Sequence, residues 1–541
     1  MDTVEVVLAM LLAVVASGYV VRVLPFPLPL PLAQIALGAV IEGVFGHGVT
    51  LEPDIFFLLF LPPLLFLDGW RIPKVGLFHD KGIILELALG LVVFTVLGAG
   101  YLIHWLIPGL PMAVAFALAA ILAPTDPVAV SAITRRVPAP PRMMHILEGE
   151  ALLNDATGLV CFRFAVAAAL TGQFSLAKAS LTFLWVAAAG IATGVLVTLA
   201  VAIAHRTLTR RVGDDSGAAI LINLLTPFGA WLVAERLHAS GILAAVAAGI
   251  TMSYVELRGL APAATRVRRA AVWDTVQFSL NGMMFVLLGE QLPDIARGAL
   301  RGTGPDAPLA PLWLATNALA IALGLTLLRF TWVWVSLRLT ILNARLQGQQ
   351  VYKPNIRLVI ATSLAGVRGA LTMAGIMTLP LALPGGAPFP GRHLVIFLAS
   401  AVIVVSLVLA SVGLPRVLKG LELPGETAGQ AEEDLARHEA ATAAIAAVEQ
   451  ACRAREGRPR EVCASAAEQV IGLYQHRLGV GAGGNEASGV REAEQAERAY
   501  RLAALEAERD TILQLARHHK ISDATARKLL HEIDLVEARY R

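Results

Sequence analysis

The sequence predicts an all-α polytopic membrane protein. It reads as 13 transmembrane helices in two inverted six-helix repeats, with a helical cytoplasmic C-terminal domain appended. Three observations predict this. The chain holds run after run of about 20 apolar residues, the length that spans a bilayer. Its positive residues fall almost entirely in alternate loops. Its charge is also unevenly distributed. Of 541 residues only 16% are charged, against about 25% in a soluble globular chain. Residues 421–541 nevertheless carry 16 Lys/Arg and 21 Asp/Glu. The chain therefore divides into an apolar body, about 1–420, and a polar tail, 421–541.

The candidate spans are 3–22, 26–45, 51–69, 82–106, 110–134, 146–171, 176–204, 217–236, 240–256, 272–292, 309–342, 357–383 and 392–415. The first is read as a retained helix, because its start lacks the Lys/Arg of a signal peptide. Loops after odd-numbered spans carry Arg71, Lys74, Arg135, Arg136, Arg206, Arg210, Arg211, Arg266, Arg268 and Arg269. Loops after even-numbered spans carry only Arg297, Arg301 and Arg392. Positive residues stay on the cytoplasmic side. The expected topology in the inner (plasma) membrane therefore has the N-terminus outside and the tail in the cytoplasm. Three Cys with no metal-ligand spacing exclude a disulfide scaffold. A net charge of +3 is too small to indicate a nucleic-acid partner.

An odd span count permits two six-helix repeats of opposite sense joined by one helix, the plan of many secondary transporters. That plan predicts interrupted helices at matching positions. Span 5 contains Ala123-Pro124-Thr125-Asp126-Pro127, and span 12 contains Ala365-Gly366-Val367-Arg368-Gly369. Each is the fifth helix of its half. Proline lacks an N–H and glycine tolerates irregular backbone, so both stretches can unwind. Unwound backbone at membrane depth persists only where it lines a cavity or is packed in protein.

An ionisable group inside a span costs roughly 2.5–3.5 kcal/mol on insertion scales. Span 6 nevertheless places Glu148, Glu150, Asn154 and Asp155 within eight residues. Glu150 and Asn154 share a helix face, and Asp155 lies about 100° further round. Asp155 and Arg368 enter from the same side, at depths of roughly 14 and 17 Å from a rise of 1.5 Å per residue. Asp126 enters from the other side, so the three are expected to meet near the midplane. A small hard cation needs oxygen ligands, which carboxylates, hydroxyls and freed carbonyls supply. Burial disfavours the charged form of a carboxylate. Such a group holds either a proton or a cation, and a site that must choose between two ions is the minimal device for exchange. Arg368 keeps its charge and needs a buried partner, for which Glu150 is the expectation. That pair is read as structural.

Asp68 ends Pro62-Pro63-Leu64-Leu65-Phe66-Leu67-Asp68 and reads either as an entry-funnel carboxylate or as an interfacial charge. Arg163 reads as tuning the site or as snorkelling outward. Asp274 and Asn281 share a face of span 10. Glu290 is expected to be wet, and Arg329 and Arg338 to be packing or snorkelling residues.

At these residues the chain resembles the bacterial cation:proton antiporters of the NhaP/NHE type, the monovalent cation:proton antiporter-1 family. The resemblance covers about residues 1–420. It rests on Pro62-Pro63-Leu64-Leu65-Phe66, Pro124-Thr125-Asp126-Pro127, Gly149-Glu150-Ala151-Leu152-Leu153-Asn154-Asp155, Phe285-Val286-Leu287-Leu288-Gly289 and Gly366-Val367-Arg368-Gly369-Ala370. It implies that Asp155 is the essential ion-binding aspartate, with Thr125, Asp126 and Asn154 contributing to a Na⁺ site. The Asn154-Asp155 pair implies electroneutral one-for-one exchange. Glu150 and Arg368 match an interhelical ion pair of the family. The family forms homodimers through helices at about 1–70 and 217–292, while helices at about 82–171 and 309–415 form a core that moves like an elevator. Some archaeal relatives have a Ser ligand after the Glu, where this chain has Ala151.

The tail reads as helical over 427–478 and 490–541, joined by the flexible Gly479–Gly484 stretch. It is expected to pack on itself or on its dimer mate, or to regulate transport. No phosphate loop or cofactor motif is present in the sequence, so no cofactor is expected. The expected function is exchange of Na⁺, or of Li⁺ or K⁺, for H⁺ in pH and sodium homeostasis. The other classes considered are a K⁺/H⁺ antiporter of the same fold, a passive cation channel and an intramembrane aspartyl protease. The protease is disfavoured because its Tyr-Asp and Gly-x-Gly-Asp signatures are missing.

Overall fold

The computed structural model describes residues 2–24, 28–45, 53–71, 81–134, 137, 139–171, 176–213, 215–256, 263–301, 311–346, 356–383, 386–419, 426–453, 467–472, 475, 486–518, 520 and 523–540. It divides into two compact units, Met1–Leu421 and Glu422–Arg541.

Among its described residues the first unit is helical apart from short connecting turns and an isolated bridge between Ala382 and Pro388. A helix, or a pair of helices, lies in each apolar segment read from the sequence. Its helices are α1 (Asp2–Val23), α2 (Leu30–Phe45), α3 (Pro53–Arg71), α4 (Lys81–Leu85) and α5 (Val92–Leu106). There follow α6 (Met112–Leu122), α7 (Pro127–Thr134), α8 (Pro141–Thr171), α9 (Leu176–Val212) and α10 (Ser216–Arg236). The last six are α11 (Gly241–Glu256), α12 (Ala263–Arg301), α13 (Pro311–Leu346), α14 (Ile356–Leu364), α15 (Ala370–Met377) and α16 (Arg392–Leu418). Among the described residues, seven helices are long and apolar enough to cross a membrane by length and composition. Shorter apolar helices include Leu30–Val44 and Gly241–Glu256.

Span 4 is not a uniform α-helix. A π-helical turn, Glu86–Leu91, joins α4 to α5, and Gly90 there faces the Trp332 ring. Spans 5 and 12 are broken where expected. Helix α6 ends at Leu122 and α7 begins at Pro127; α14 ends at Leu364 and α15 begins at Ala370.

The helices pack in two groups. In one, α3 lies on α11, α12 on α2, and α9 and α10 on α11. In the other, α6 lies on α5 and α8, while α13 packs on α5, α14 and α16. Close approach in the first group rests on small residues. A methyl group added at Gly289 of α12 would collide with the carbonyl of Ile35 on α2, so only glycine permits this spacing. Without a hydrophobic force between helices in lipid, such packing and interhelical hydrogen bonds hold the bundle. The buried Trp273 supplies both: it stacks on Phe66 at 5.4 Å and donates to Asn223 at 2.6 Å.

The second unit contains α17 (Glu426–Arg453), α18 (Glu486–Arg517) and α19 (Asp523–Tyr540). The sequence predicts one helical stretch through 490–541, but α18 and α19 pack against each other instead. Leu505 and Ile533 are buried in this unit, and Arg509 bridges to Asp534 at 2.9 Å and to Glu537. The expected joint at 479–484, and the stretch 454–466, lie outside the described residues.

Candidate functional site: a carboxylate cavity at two crossed broken helices

The two interrupted stretches meet. The backbone N–H of Asp126 donates to the carbonyl of Val367 at 2.8 Å, tying one break to the other. Each break leaves the last carbonyls of a half-helix without intrahelical partners. Arg368 supplies donors for both: its Nε donates to Leu122 O at 3.0 Å, and its Nη1 donates to Gly366 O. Its backbone N–H donates to Ser406 Oγ of α16 at 3.2 Å. A cation is stabilised at a helix C-terminus by the aligned peptide dipoles. The buried charge of Arg368 is therefore met by carbonyl ends.

This corrects the expected Glu150–Arg368 pair. Glu150, 1% exposed, is held by Arg329 in a two-pronged pair of 2.5 and 2.7 Å. Arg329 Nε also donates to Thr362 O at 3.0 Å, which binds α13 to α14. The fork of a guanidinium matches a carboxylate bidentately. Arg329 is thus neither a packing nor a snorkelling residue. Its signal was present in the sequence as a cation deep in span 11, but two buried arginines competed for one carboxylate and spacing could not choose between them. Arg338, by contrast, lies over the Trp334 ring at 5.2 Å.

From Glu150 a hydrogen-bonded chain reaches the break in span 5. Thr125 Oγ1 donates to Glu150 at 3.3 Å and accepts from Asn154 Nδ2 at 3.1 Å. Thr125 and Asn154 therefore position the backbone of the break. Asn154 is fully buried, and its Oδ1 has no partner among the described residues.

Asp68, Thr125, Asp126 and Asp155 line one cavity of about 70 Å³, together with Pro124, Pro127, Ala151, Gln277, Asn281, Gly369 and Thr372. The cavity lies on the seam between the two helix groups: α3 and α12 line one side, and the break, α8 and α15 the other. Asp126 Oδ1 accepts from Ala129 N at 3.4 Å, capping α7. Asp155 makes no hydrogen bond or ion pair with any described residue. Among the described residues, no three acidic, His or Cys side chains converge as a preformed metal centre would require.

The structure also decides the roles that the sequence leaves open. Asp68 faces the cavity. Arg163 is exposed and is not among the cavity-lining residues, so it does not tune the site by contact. Asn281 lines the cavity, but Asp274 is exposed and pairs with Arg71 at 2.5 Å. Glu290 is buried rather than wet. Two polar lining residues were missed, Gln277 and Thr372. Gln277 lies one helical turn before Asn281 on the same face, a signal the sequence did carry. Gln277 also accepts from Arg71 Nη1 at 2.9 Å, which links the cavity wall to the Arg71–Asp274 pair.

Gly369 sits at the closest approach of the two breaks. A Cβ there would overlap the carboxylate of Asp126. Its backbone is extended (φ −116°, ψ −163°), so Gly369→Ala adds bulk without backbone strain. The expected outcome is loss of most ion exchange with near-normal yield and oligomeric state, measured on purified protein. Exchange at the unaltered rate would show that the tight approach is not needed.

Broken helices crossing over a carboxylate-lined cavity, in a body of apolar helices, define a secondary transporter rather than an enzyme. The chain belongs to the sodium/hydrogen exchanger family, whose transmembrane profile matches residues 8–420. It is 41% identical over 540 residues to the uncharacterized Na⁺/H⁺ exchanger YjcE of Escherichia coli, covering 98% of both chains. It is 45% identical over 417 residues to a sodium, potassium, lithium and rubidium/H⁺ antiporter of Bacillus pumilus, covering 76% of this chain and 61% of that one. Its fold is similar to that of the sodium proton antiporter MjNhaP1 of Methanocaldococcus jannaschii. That match has a TM-score of 0.56 at 17% identity, over 78% of this chain and 99% of that one.

Proposed function

We propose that the chain exchanges Na⁺ for H⁺ at Asp155, one for one, by alternating access. The observation that carries this reading is the placement of Asp155, Asp126 and Thr125 on one cavity beside two crossed helix breaks. Na⁺ is the cargo, held by carboxylate and hydroxyl oxygens. Protonated Asp155 faces one side, releases its proton and takes the cation. The neutralised site crosses, whereas a bare carboxylate does not, because moving it through the membrane costs too much. That rule couples the two fluxes.

The position of the cavity on the seam supports an elevator motion, with α4–α8 and α13–α16 moving against the remaining helices. Thirteen crossings, a homodimer built on the fixed helices, and an inner-membrane topology with the N-terminus outside complete the reading. The one-for-one stoichiometry rests on Asn154: an amide, not a second carboxylate, precedes Asp155. Asp68 belongs to α3 on the fixed side, where it serves as an entry carboxylate. The physiological role is pH and sodium homeostasis. The similarity to the sodium, potassium, lithium and rubidium/H⁺ antiporter of Bacillus pumilus favours a second cation reading, K⁺/H⁺ exchange by the same site.

The test is reconstitution in liposomes, recording proton movement on adding Na⁺, K⁺ or Li⁺ with and without a clamped potential. The expected result is Na⁺-triggered proton movement that does not depend on potential. Potential-dependent exchange would overturn the stoichiometry, and a larger response to K⁺ would establish the second cation reading. The absence of a coupled proton signal with every cation would sink antiport.

A further inference from the structure

A second cavity, of about 330 Å³, lies among α9, α10, α11 and α12, away from the ion site. That volume is at the small end of the range for ligand pockets. Its walls are mostly apolar, with Val201, Ile222 and Met252 among them, and its rim is basic, with Arg206 and Arg210 on the last turns of α9. It opens at the C-terminal end of α9, the end that the positive-inside pattern places toward the cytoplasm. Along the same part of the helix, α9 presents exposed Leu196, Leu199, Ile203 and Leu208, the surface a lipid-facing helix carries.

Three donor groups here have no partner among the described residues. Arg206 and Arg210 make no ion pair or hydrogen bond with any described residue. Asn223, only 2% exposed, lines the cavity, and its Nδ2 has no partner among the described residues; its Oδ1 is occupied by Trp273. Arg269 is different, since it pairs with Glu256 and lies over Trp70 at 5.4 Å. The surplus is therefore two rim guanidinium groups and one buried amide donor around an apolar hole. A buried donor left unsatisfied costs free energy, and guanidinium groups select phosphate.

We propose that this cavity binds an anionic glycerophospholipid of the cytoplasmic leaflet. Its phosphate meets Arg206 and Arg210, an acyl chain lies along the apolar wall, and Asn223 supplies a donor to an ester oxygen. Basic pockets between transmembrane helices on this side are suited to such headgroups. The combination of an apolar wall and a basic rim favours a lipid over a soluble phosphate, which would leave the wall unfilled.

The experiment measures binding to the full chain in detergent, by native mass spectrometry and by thermal shift, with phosphatidylglycerol, phosphatidylcholine, glycerol 3-phosphate and inorganic phosphate as probes. Phosphatidylglycerol is expected to bind and to raise the melting temperature; the other three are not. The double variant R206A/R210A should bind phosphatidylglycerol about 30-fold more weakly, because each arginine supplies one attractive charge to the headgroup. R206K/R210K should keep most of the binding. Ala219→Phe, which fills the cavity and keeps both charges, should lose it. Equal binding of phosphatidylcholine would overturn the proposal, as would retention in R206A/R210A or in Ala219→Phe. A full shift with inorganic phosphate or glycerol 3-phosphate would replace the lipid by a soluble anion and also overturn it.

Discussion

Asp155→Asn is expected to reduce cation-triggered proton movement to that of protein-free liposomes. The amide is nearly isosteric with the carboxyl group, so helix α8 and its packing should survive. It carries neither a titratable proton nor a charge for Na⁺, and both half-reactions are lost together. Asp155 is also the cavity carboxylate beside the break that no described residue caps, pairs or hydrogen-bonds. The remaining groups have other tasks: Asp126 caps α7, and Thr125 and Asn154 bond to each other. Asp68→Asn makes the informative control. As an entry carboxylate it should raise the cation concentration needed for half-maximal exchange, while leaving the maximal rate largely intact. Full exchange by Asp155→Asn would remove the mechanism. If Asp68→Asn abolished exchange and Asp155→Asn did not, the roles would be reversed.

The second large effect is on stability. Arg329→Met strands Glu150 as a buried carboxylate, and Glu150→Leu strands Arg329. Removing one partner of a buried ion pair costs about 3–5 kcal/mol, because the other charge stays desolvated and unmatched. Replacing both partners with apolar residues of similar volume is often nearly neutral. The double variant Glu150→Leu with Arg329→Met should therefore melt closer to the wild type than either single variant does. Melting of the purified protein in detergent, run as a double-mutant cycle, checks this order. Had Glu150 paired with Arg368 instead, Arg329→Met would be mild and the double variant no better than Glu150→Leu alone. Thr125 loses an acceptor in the double variant, so exchange is expected to stay impaired even where stability returns. That separates the two roles of the network: holding the helices, and positioning the break.

Much of the site was legible because insertion into lipid is so restrictive. A carboxylate in a span is expensive, so Asp126 and Asp155 stood out against their apolar neighbours. Proline and glycine marked both breaks to within a residue or two, since each has a local backbone consequence that needs no partner. The partner of Glu150 was not legible in the same way. Arg329 and Arg368 both lie deep in spans, and choosing between them requires knowing which helix faces α8. Nor could the sequence show that Arg368 is satisfied by carbonyl ends, because those ends exist only after the two half-helices cross. Gln277 and Thr372 were hidden because neutral polar residues are inexpensive and common on helix faces. The π-helical turn at Glu86–Leu91 has no composition signal; its Gly90 packs on Trp332 of another helix.

By itself the sequence determined the apolar body and the polar tail, the places where two helices break, and the carboxylates that must share a cavity. It did so because hydropathy, backbone breakers and buried charge act locally, residue by residue. Only the tertiary structure decided which arginine neutralises Glu150, which side chains complete the cavity, and that a second, basic-rimmed cavity opens among α9 to α12. Those are choices among equally polar candidates on different helices, and only the packing of one helix face on another makes them.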